Sequence, residues 1–486
     1  MGVADKAPTL LAPEQIGPKG WIRDMICLEL AADYDAEYVT SILNKAWSSF
    51  RERTPMVGVE AVPDAAITKP AGMLKLIPYK EGEVVDFVVK DHRSDPDLPS
   101  FAQLKSKQFP NSAMDNAKLC LRGRGGEWPN FGVDRLATNM MQANLIKGGL
   151  LLNHLCFHAF GDGRAMWKLM ELFAEDVRRA QGLPISKPAE IPIADRAKLV
   201  RSTGERVCAD FAKEHNEFIH LPFTPPGLPD GLTKALHHAH VYRFTAEAIR
   251  ALKEECSPSN VRLLKGQIPA DQLPKFVSTN DVLTALLWRT VQRAEQADHS
   301  SIPADKPSVA QVALDTRRRA HVPIHPHTLG NVVGYAATIL PLPQVVSPEA
   351  ASLADLAVLI RLAVAKCGTS YYDELAHYVE NIDDINRLAG TAFLDMPGAN
   401  VLQSNWSEFD YYNIEWGSAF GDHIKAVRFP AGGVCAGFQI IMPSPPGALK
   451  GSAEVLVDVS DQAWPRLLAD ETWARFASRL TVEPYK

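Results

Sequence analysis

The chain lacks several features that would have fixed its class at once. No run of about 18 apolar residues occurs, so no membrane-spanning helix is expected. Met1 to Lys19 holds no apolar core of the kind a secretory leader carries. The seven cysteines (Cys27, Cys120, Cys156, Cys208, Cys256, Cys367 and Cys435) are odd in number, and none has CxxC spacing. They read as reduced thiols, not as a disulfide framework or a zinc site. Positive charge is not in excess: the formal net charge is −6, which gives no global field for nucleic acid or anionic lipid. Internal repeats and low-complexity tracts are absent. The expectation is a soluble, cytoplasmic protein without a bound metal.

What remains is ordinary globular material in quantity. With 486 residues, 46% hydrophobic and 22% charged, two to three domains are expected. A first strand reads over 21–32, and a helix over 35–53 with Asp35 as cap and Pro55 as stop. Short strands follow near 57–61, 74–78 and 84–89, and Ser94 to Pro110 reads as loop. Arg122-Gly123-Arg124-Gly125-Gly126 lacks the Lys-Ser/Thr of a phosphate-binding loop and reads as an exposed loop. Strands over 140–146 and 150–157 form a hairpin through Lys147-Gly148-Gly149. Proline-rich residues 182–231 read as a long crossover.

In the second half, His237-His238-Ala239-His240 lacks Cys or carboxylate partners at ligand spacing and reads as a polar strand entry. Ser278-Thr279-Asn280-Asp281 caps an apolar helix. A strand over 308–314 leads into Asp315-Thr316-Arg317-Arg318-Arg319. Helices are expected over 352–367, 372–388 and 462–480, with strands near 437–442 and 454–459.

The most informative stretch is Gly148 to Phe173. An apolar strand ends at His158. Gly161 and Gly163 then bracket Asp162, and an amphipathic helix begins, with Met166, Leu169, Met170, Phe173 and Val177 on one face. Such a turn fixes an imidazole at the rim of a sheet. Imidazole titrates near neutrality and can take a proton from a hydroxyl or amine attacking an acyl carbon. A buried structural histidine is the competing reading of the same residues. Cys156, two residues earlier, belongs to the apolar run and reads as packing.

Several motifs then line up in order. His158-Ala159-Phe160-Gly161-Asp162-Gly163 resembles the HxxxDG motif of the BAHD acyltransferases. Thr284-Ala285-Leu286-Leu287-Trp288-Arg289 resembles that family's Thr-Ala-x-x-Trp-Arg helix. Asp315-Thr316-Arg317-Arg318-Arg319 with Gly330-Asn331 is similar to its DxRxR…GN stretch. Ser404-Asn405-Trp406, and then Asn413-Ile414-Glu415-Trp416-Gly417, sit where the family has Ser/Thr-x-Trp and DFGWG. The resemblance spans nearly the whole chain and is strongest to the fungal secondary-metabolite branch, including trichothecene acetyltransferases.

That resemblance implies an α/β (α+β) fold of two chloramphenicol-acetyltransferase-like domains, each a mixed sheet flanked by helices, with a tunnel between them. The expected division is residues 1–190, a crossover over 191–235, and residues 236–486. It further implies that His158 deprotonates the acceptor, which attacks the thioester of acyl-CoA, acetyl-CoA in the first place, without an acyl-enzyme. Ser404 would support the thioester or oxyanion. Asp162 would pair with Arg317 and fix the turn at Gly163. Lys275, Ser278 and Thr279 are candidates for CoA phosphate contacts. At the fifth motif Asn413, Ile414 and Glu415 depart from the family, and Trp416-Gly417 are kept. The family's Asp there bonds an arginine, so Asn413 is expected to keep a neutral version of that bond. The expected partners are acyl-CoA and a small acceptor, for example a secondary-metabolite alcohol, with neither nucleic acid nor membrane, and the chain is expected to be monomeric. A carrier-protein-dependent condensation or cyclisation domain is the alternative on this fold, but Phe157 replaces the first His of its HHxxxDG. A non-catalytic scaffold is the third reading.

Overall fold

The computed structural model describes residues 9–16, 19–54, 56–122, 129–130, 133–190, 202, 204, 207–227, 232 and 236–481. The expected loop at 122–126 therefore lies outside the described residues except for Arg122, as does much of the 191–235 crossover.

The first half is built on β1 (Trp21–Glu29), α1 (Ala36–Arg53), β2 (Phe87–Asp91), β3 (Asn139–Ile146), β4 (Gly149–Phe157) and α2 (Gly163–Ala180). Asp35 caps α1 by accepting from the amides of Glu37 and Tyr38. The β3–β4 hairpin pairs in continuous antiparallel register from Asn139–Cys156 to Ile146–Gly149. β4 also pairs with β1, from Trp21–Phe157 to Glu29–Gly149. Central placement explains why β4 is buried along its whole length and is apolar except for Asn153 and His154. Helices α1 and α2 cover one face, where Trp47, Phe50 and Phe173 meet edge to face.

The second half contributes β5 (His237–Phe244), α3 (Ala246–Glu255), α4 (Thr279–Glu295), β6 (Pro307–Asp315), β7 (Val333–Pro341), α5 (Leu353–Lys366), α6 (Tyr371–Asn381), β8 (Val401–Asn405), β9 (Ala426–Arg428), β10 (Phe438–Ile441), β11 (Ala453–Ser460) and β12 (Ser478–Arg479). Seven of these strands form one mixed sheet in the order β7-β6-β8-β10-β11-β5-β12. β9 does not join it. It leaves its own half and completes the first sheet, whose order is β9-β1-β4-β3-β2, by pairing Met25 with Arg428 and Cys27 with Ala426.

Three expectations are corrected. Ser94 to Pro110 is not all loop: Phe101–Ser106 is a helix, started by a capping box between Ser100 and Gln103. The C-terminal helix is two helices, Trp464–Ala469 and Glu471–Phe476. Asp470 sits between them in extended conformation, ending one and capping the next through the amide of Trp473. The helix over 372–388 stops at Asn381. The histidines of β5 face carboxylates: His237 Nδ1 is 2.5 Å from Asp458 and His238 Nδ1 is 2.6 Å from Asp461. No helix among the described residues is long and apolar enough to cross a membrane.

Candidate active site

The site begins with a continued ladder. The His158 amide donates to the Gly20 carbonyl at 2.8 Å, one step beyond the last β1–β4 pair. The chain then turns, with Phe160 and Gly161 amides both donating to the Phe157 carbonyl. Gly161 is required by closeness, because a Cβ there would lie 2.9 Å from Cys156 Sγ. This is the work of Cys156. It is fully buried, and burial pushes its thiol well above the ordinary range, so it supplies no thiolate.

Asp162 caps α2 through the Ala165 amide at 2.9 Å. The same carboxylate, 2% exposed, accepts from Arg317 at 2.7 and 3.2 Å and from the Val332 amide at 3.0 Å. Its own amide donates to the Gly330 carbonyl. Arg317 also reaches Asp315 at 3.0 Å and the carbonyls of Thr328 and Gly330. Burial works against its charge, but Asp162 and then Asp315 outweigh it and hold the guanidinium above its usual range. The turn below His158 is thus clamped by residues about 150 positions later in the chain. Asp162 faces this clamp and not the reacting side.

His158 itself is half-buried and lines a cavity of about 180 Å³. Burial lowers its pKa below the ordinary 6.5, while a hydrogen bond to its own main-chain carbonyl and the charge of Asp162 oppose the shift. The ring is therefore neutral at pH 7.

The facing wall comes from the second sheet. β8 runs parallel to β6 and β10, which places Ser404 opposite Ile440, and both line the cavity. Ser404 Oγ accepts from the Trp406 indole N–H at 3.1 Å, which leaves its own O–H available as a donor. Gly163 also lines the cavity. A Cβ there would lie 3.0 Å from Phe409 and 3.2 Å from Trp406. The remaining walls are largely apolar, with Trp21, Phe393, Leu402, Trp406, Phe429 and Phe438.

Other expected site residues lie elsewhere. Lys275, Ser278 and Thr279 do not line the cavity. Ser278 is committed to a capping box with Asp281, whose carboxylate fills the start of α4 and pairs with Arg361 at 2.5 Å. A helix terminus already holding a carboxylate is a poor seat for a phosphate, which removes the reason for choosing Ser278. Asn413 is also corrected. Among the described residues it makes no bond to an arginine in the other half; it is exposed and donates to Asp410 at 2.8 Å. The long-range contact is made by its neighbours. Glu415 pairs with Arg178 at 2.6 Å, and Gln181 donates to the Trp416 carbonyl at 2.7 Å. Trp416 is fully buried against Phe173, and Gly417 adopts φ +85° with Gln181 and Leu183 where a side chain would be. Neither lines the cavity; both secure the far end of α2.

Sequence reasoning missed the β1 wall. Trp21 and Arg23 lie on the same cavity as His158 because β1 pairs with β4, and pairing order leaves no local mark in the sequence.

Comparison with known proteins bears on this arrangement. The family model described as "Trichothecene 3-O-acetyltransferase-like N-terminal domain" matches residues 22–176. The chain is 23% identical over 448 residues to trichothecene 3-O-acetyltransferase TRI101 of Fusarium sporotrichioides, covering 90% of this chain and 89% of that protein. It is 25% identical over 472 residues to an enoyl-CoA isomerase/hydratase of Penicillium crustosum, covering 96% of this chain but spanning only 50% of that longer protein. The solved structure of F. graminearum TRI101 with coenzyme A and deoxynivalenol superposes with a TM-score of 0.78 at 20% identity, covering 98% of this chain and 99% of that one. The chain is thus similar to fungal O-acetyltransferases over most of its length, and it shares the fold of the TRI101 structures. In this chain the two motifs that touch the cavity, at His158 and Ser404, come from different sheets. Of the motifs that do not touch it, those at Arg317, Asn331 and Trp416 bond the two halves together, whereas the one at 284–289 bonds within the second half.

Proposed function

We propose that this acyltransferase moves an acyl group, acetyl in the first instance, from a CoA thioester to a hydroxyl of an apolar secondary metabolite. The observation that carries the reading is one cavity with two complementary groups. An imidazole whose pKa burial lowers and a serine hydroxyl that accepts from the Trp406 indole line the same cavity. The apolar lining suits a hydrophobic acceptor and excludes water that would hydrolyse the thioester.

In this reading His158 Nε2 takes the acceptor's proton as its oxygen attacks the thioester carbon. The Ser404 O–H donates to the oxyanion of the tetrahedral intermediate. Collapse breaks the C–S bond, and the imidazolium returns the proton to the departing CoA sulfur. The Asp162–Arg317 pair positions His158 and takes no part in proton transfer. The reading includes two units, 1–190 and 236–486, joined by 191–235, with the cavity at their seam. It also includes a reducing, cytoplasmic setting, supported by seven free thiols of which six are buried, and a monomeric chain.

The test is CoA release and product mass, measured with acetyl-CoA and a panel of neutral polycyclic alcohols. Wild-type protein is expected to acetylate at least one of them. His158→Ala should lower kcat/KM by about 10²–10⁴ with the fold intact. A His158→Ala variant that keeps full turnover rejects the assigned base.

A further inference from the structure

A second cavity, of about 370 Å³, shares no lining residue with the His158 cavity. It lies where the two sheets meet, between β9, the end of β5, the start of β11 and the 444–449 turn. Arg428 enters it from β9, Lys425 from the residue before β9, and Arg243 from near the end of β5. The carboxylate within reach is Glu454, 3.4 Å from Arg428 and 3.6 Å from Arg243. Three cationic side chains thus converge with one carboxylate and leave two positive charges in a chain whose net charge is −6.

Arg428 is the unusual member. It is 4% exposed, yet it lines the cavity. A buried guanidinium sharing one carboxylate with a second arginine is under-compensated, and an added anion relieves it. Its remaining hydrogen bonds go to main-chain carbonyls: Val427 at 2.8 Å, Gln108 at 3.1 Å and Phe109 at 3.2 Å. The 444–449 turn completes the lining, and Ser444 there is exposed.

We propose that this cleft binds a small phosphate-bearing anion at a site separate from the acyl-transfer cavity. Lys425 and Arg243 are the accessible charges that receive the phosphate oxygens, and Arg428 supplies a fixed positive floor. Two sources present this chemistry: a free anion such as pyrophosphate, or the phosphates of the co-substrate's nucleotide end.

The experiment is calorimetric titration of the full chain with inorganic pyrophosphate and, separately, with adenosine 3′,5′-bisphosphate. It uses wild type, Lys425→Gln, Arg243→Gln and His158→Ala, each checked for an unchanged melting midpoint. Pyrophosphate is expected to bind wild type and His158→Ala alike. Lys425→Gln and Arg243→Gln should each weaken it by about tenfold, and binding should fall with added salt. If the bisphosphate binds instead, and both variants raise KM for acetyl-CoA but not for S-acetylpantetheine, the site holds the co-substrate's phosphates. Absence of binding by either ligand at millimolar concentration, or binding equal in all four proteins, overturns the proposal. Because His158→Ala keeps the anion site, failure of this test and failure of the acyl-transfer reading remain distinct.

Discussion

The two ends of α2 are both tied to the later half of the chain, by very different means. At its start, Asp162 is buried and fully engaged, with Arg317 and the amides of Ala165 and Val332 on its two oxygens. At its end, Gln181 holds the Trp416 carbonyl and the Ala419 amide, and the Arg178–Glu415 pair is partly exposed. The start lies one turn from His158; the end lies away from the cavity. The difference teaches why this chain can keep the motif at one end and depart from it at the other. A buried charge tolerates no substitute that leaves its partner alone, whereas a neutral amide and a surface ion pair can be exchanged for other groups.

Substitutions can break that comparison in graded steps. Asp162→Ala takes the buried carboxylate from Arg317, which is 1% exposed and keeps Asp315 at 3.0 Å, and should cost about 3–5 kcal/mol in chemical unfolding, with activity falling in step. An equal loss at the other end would erase the distinction. Between the two ends, Tyr411 donates to the buried Asp24 at 2.8 Å, and burial raises the Asp24 pKa to about 7. The folded state therefore binds this proton more tightly than the unfolded chain does. Stability from this group is full below the unfolded value of 3.8 and is lost as pH rises toward about 7. Asp24→Asn should then be near neutral at pH 4 and stabilising by about 1–3 kcal/mol at pH 8, read from unfolding midpoints. A stabilisation that is the same at both pH values would remove titration as the cause.

Gln181→Ala should cost about 1–2 kcal/mol, because it leaves a carbonyl and an amide without their partner, and kcat should hardly change. The smallest effect is expected at Asn413. Asn413→Asp restores the family's residue but sets it beside Asp410, so melting should shift by no more than about 0.5 kcal/mol, and toward lower stability. A gain in stability there would mean that the family's bond to an arginine can still form.

Much of the site was readable because its signals are local. The turn from His158 to Gly163 combines a buried strand, close-packed glycines and a helix cap within a few residues. The Ser278 and Ser352 helix starts are capping boxes of the same local kind. The Ser100 box was equally local, but the prolines around it masked it. What could not be read was pairing over distance. β9 is three residues long, too short for any alternation to show, and its partner Met25 is about 400 residues away. Glu415 and Gln181 carry no mark that joins them to the other half, so the lost Asp at 413 suggested a weakened contact where the structure has a different one. Trp21 and Arg23 became cavity residues through strand order alone.

The late arrival of β9 has a consequence for biosynthesis. A ribosome that has released the first 235 residues has made four of the five strands of the first sheet, with the Met25–Cys27 edge still bare. That edge stays open until residue 428 emerges, so the nascent protein carries an adhesive border through nearly half of its translation. Cutting the gene at the crossover would make the exposure permanent, and the fragment should precipitate rather than fold alone.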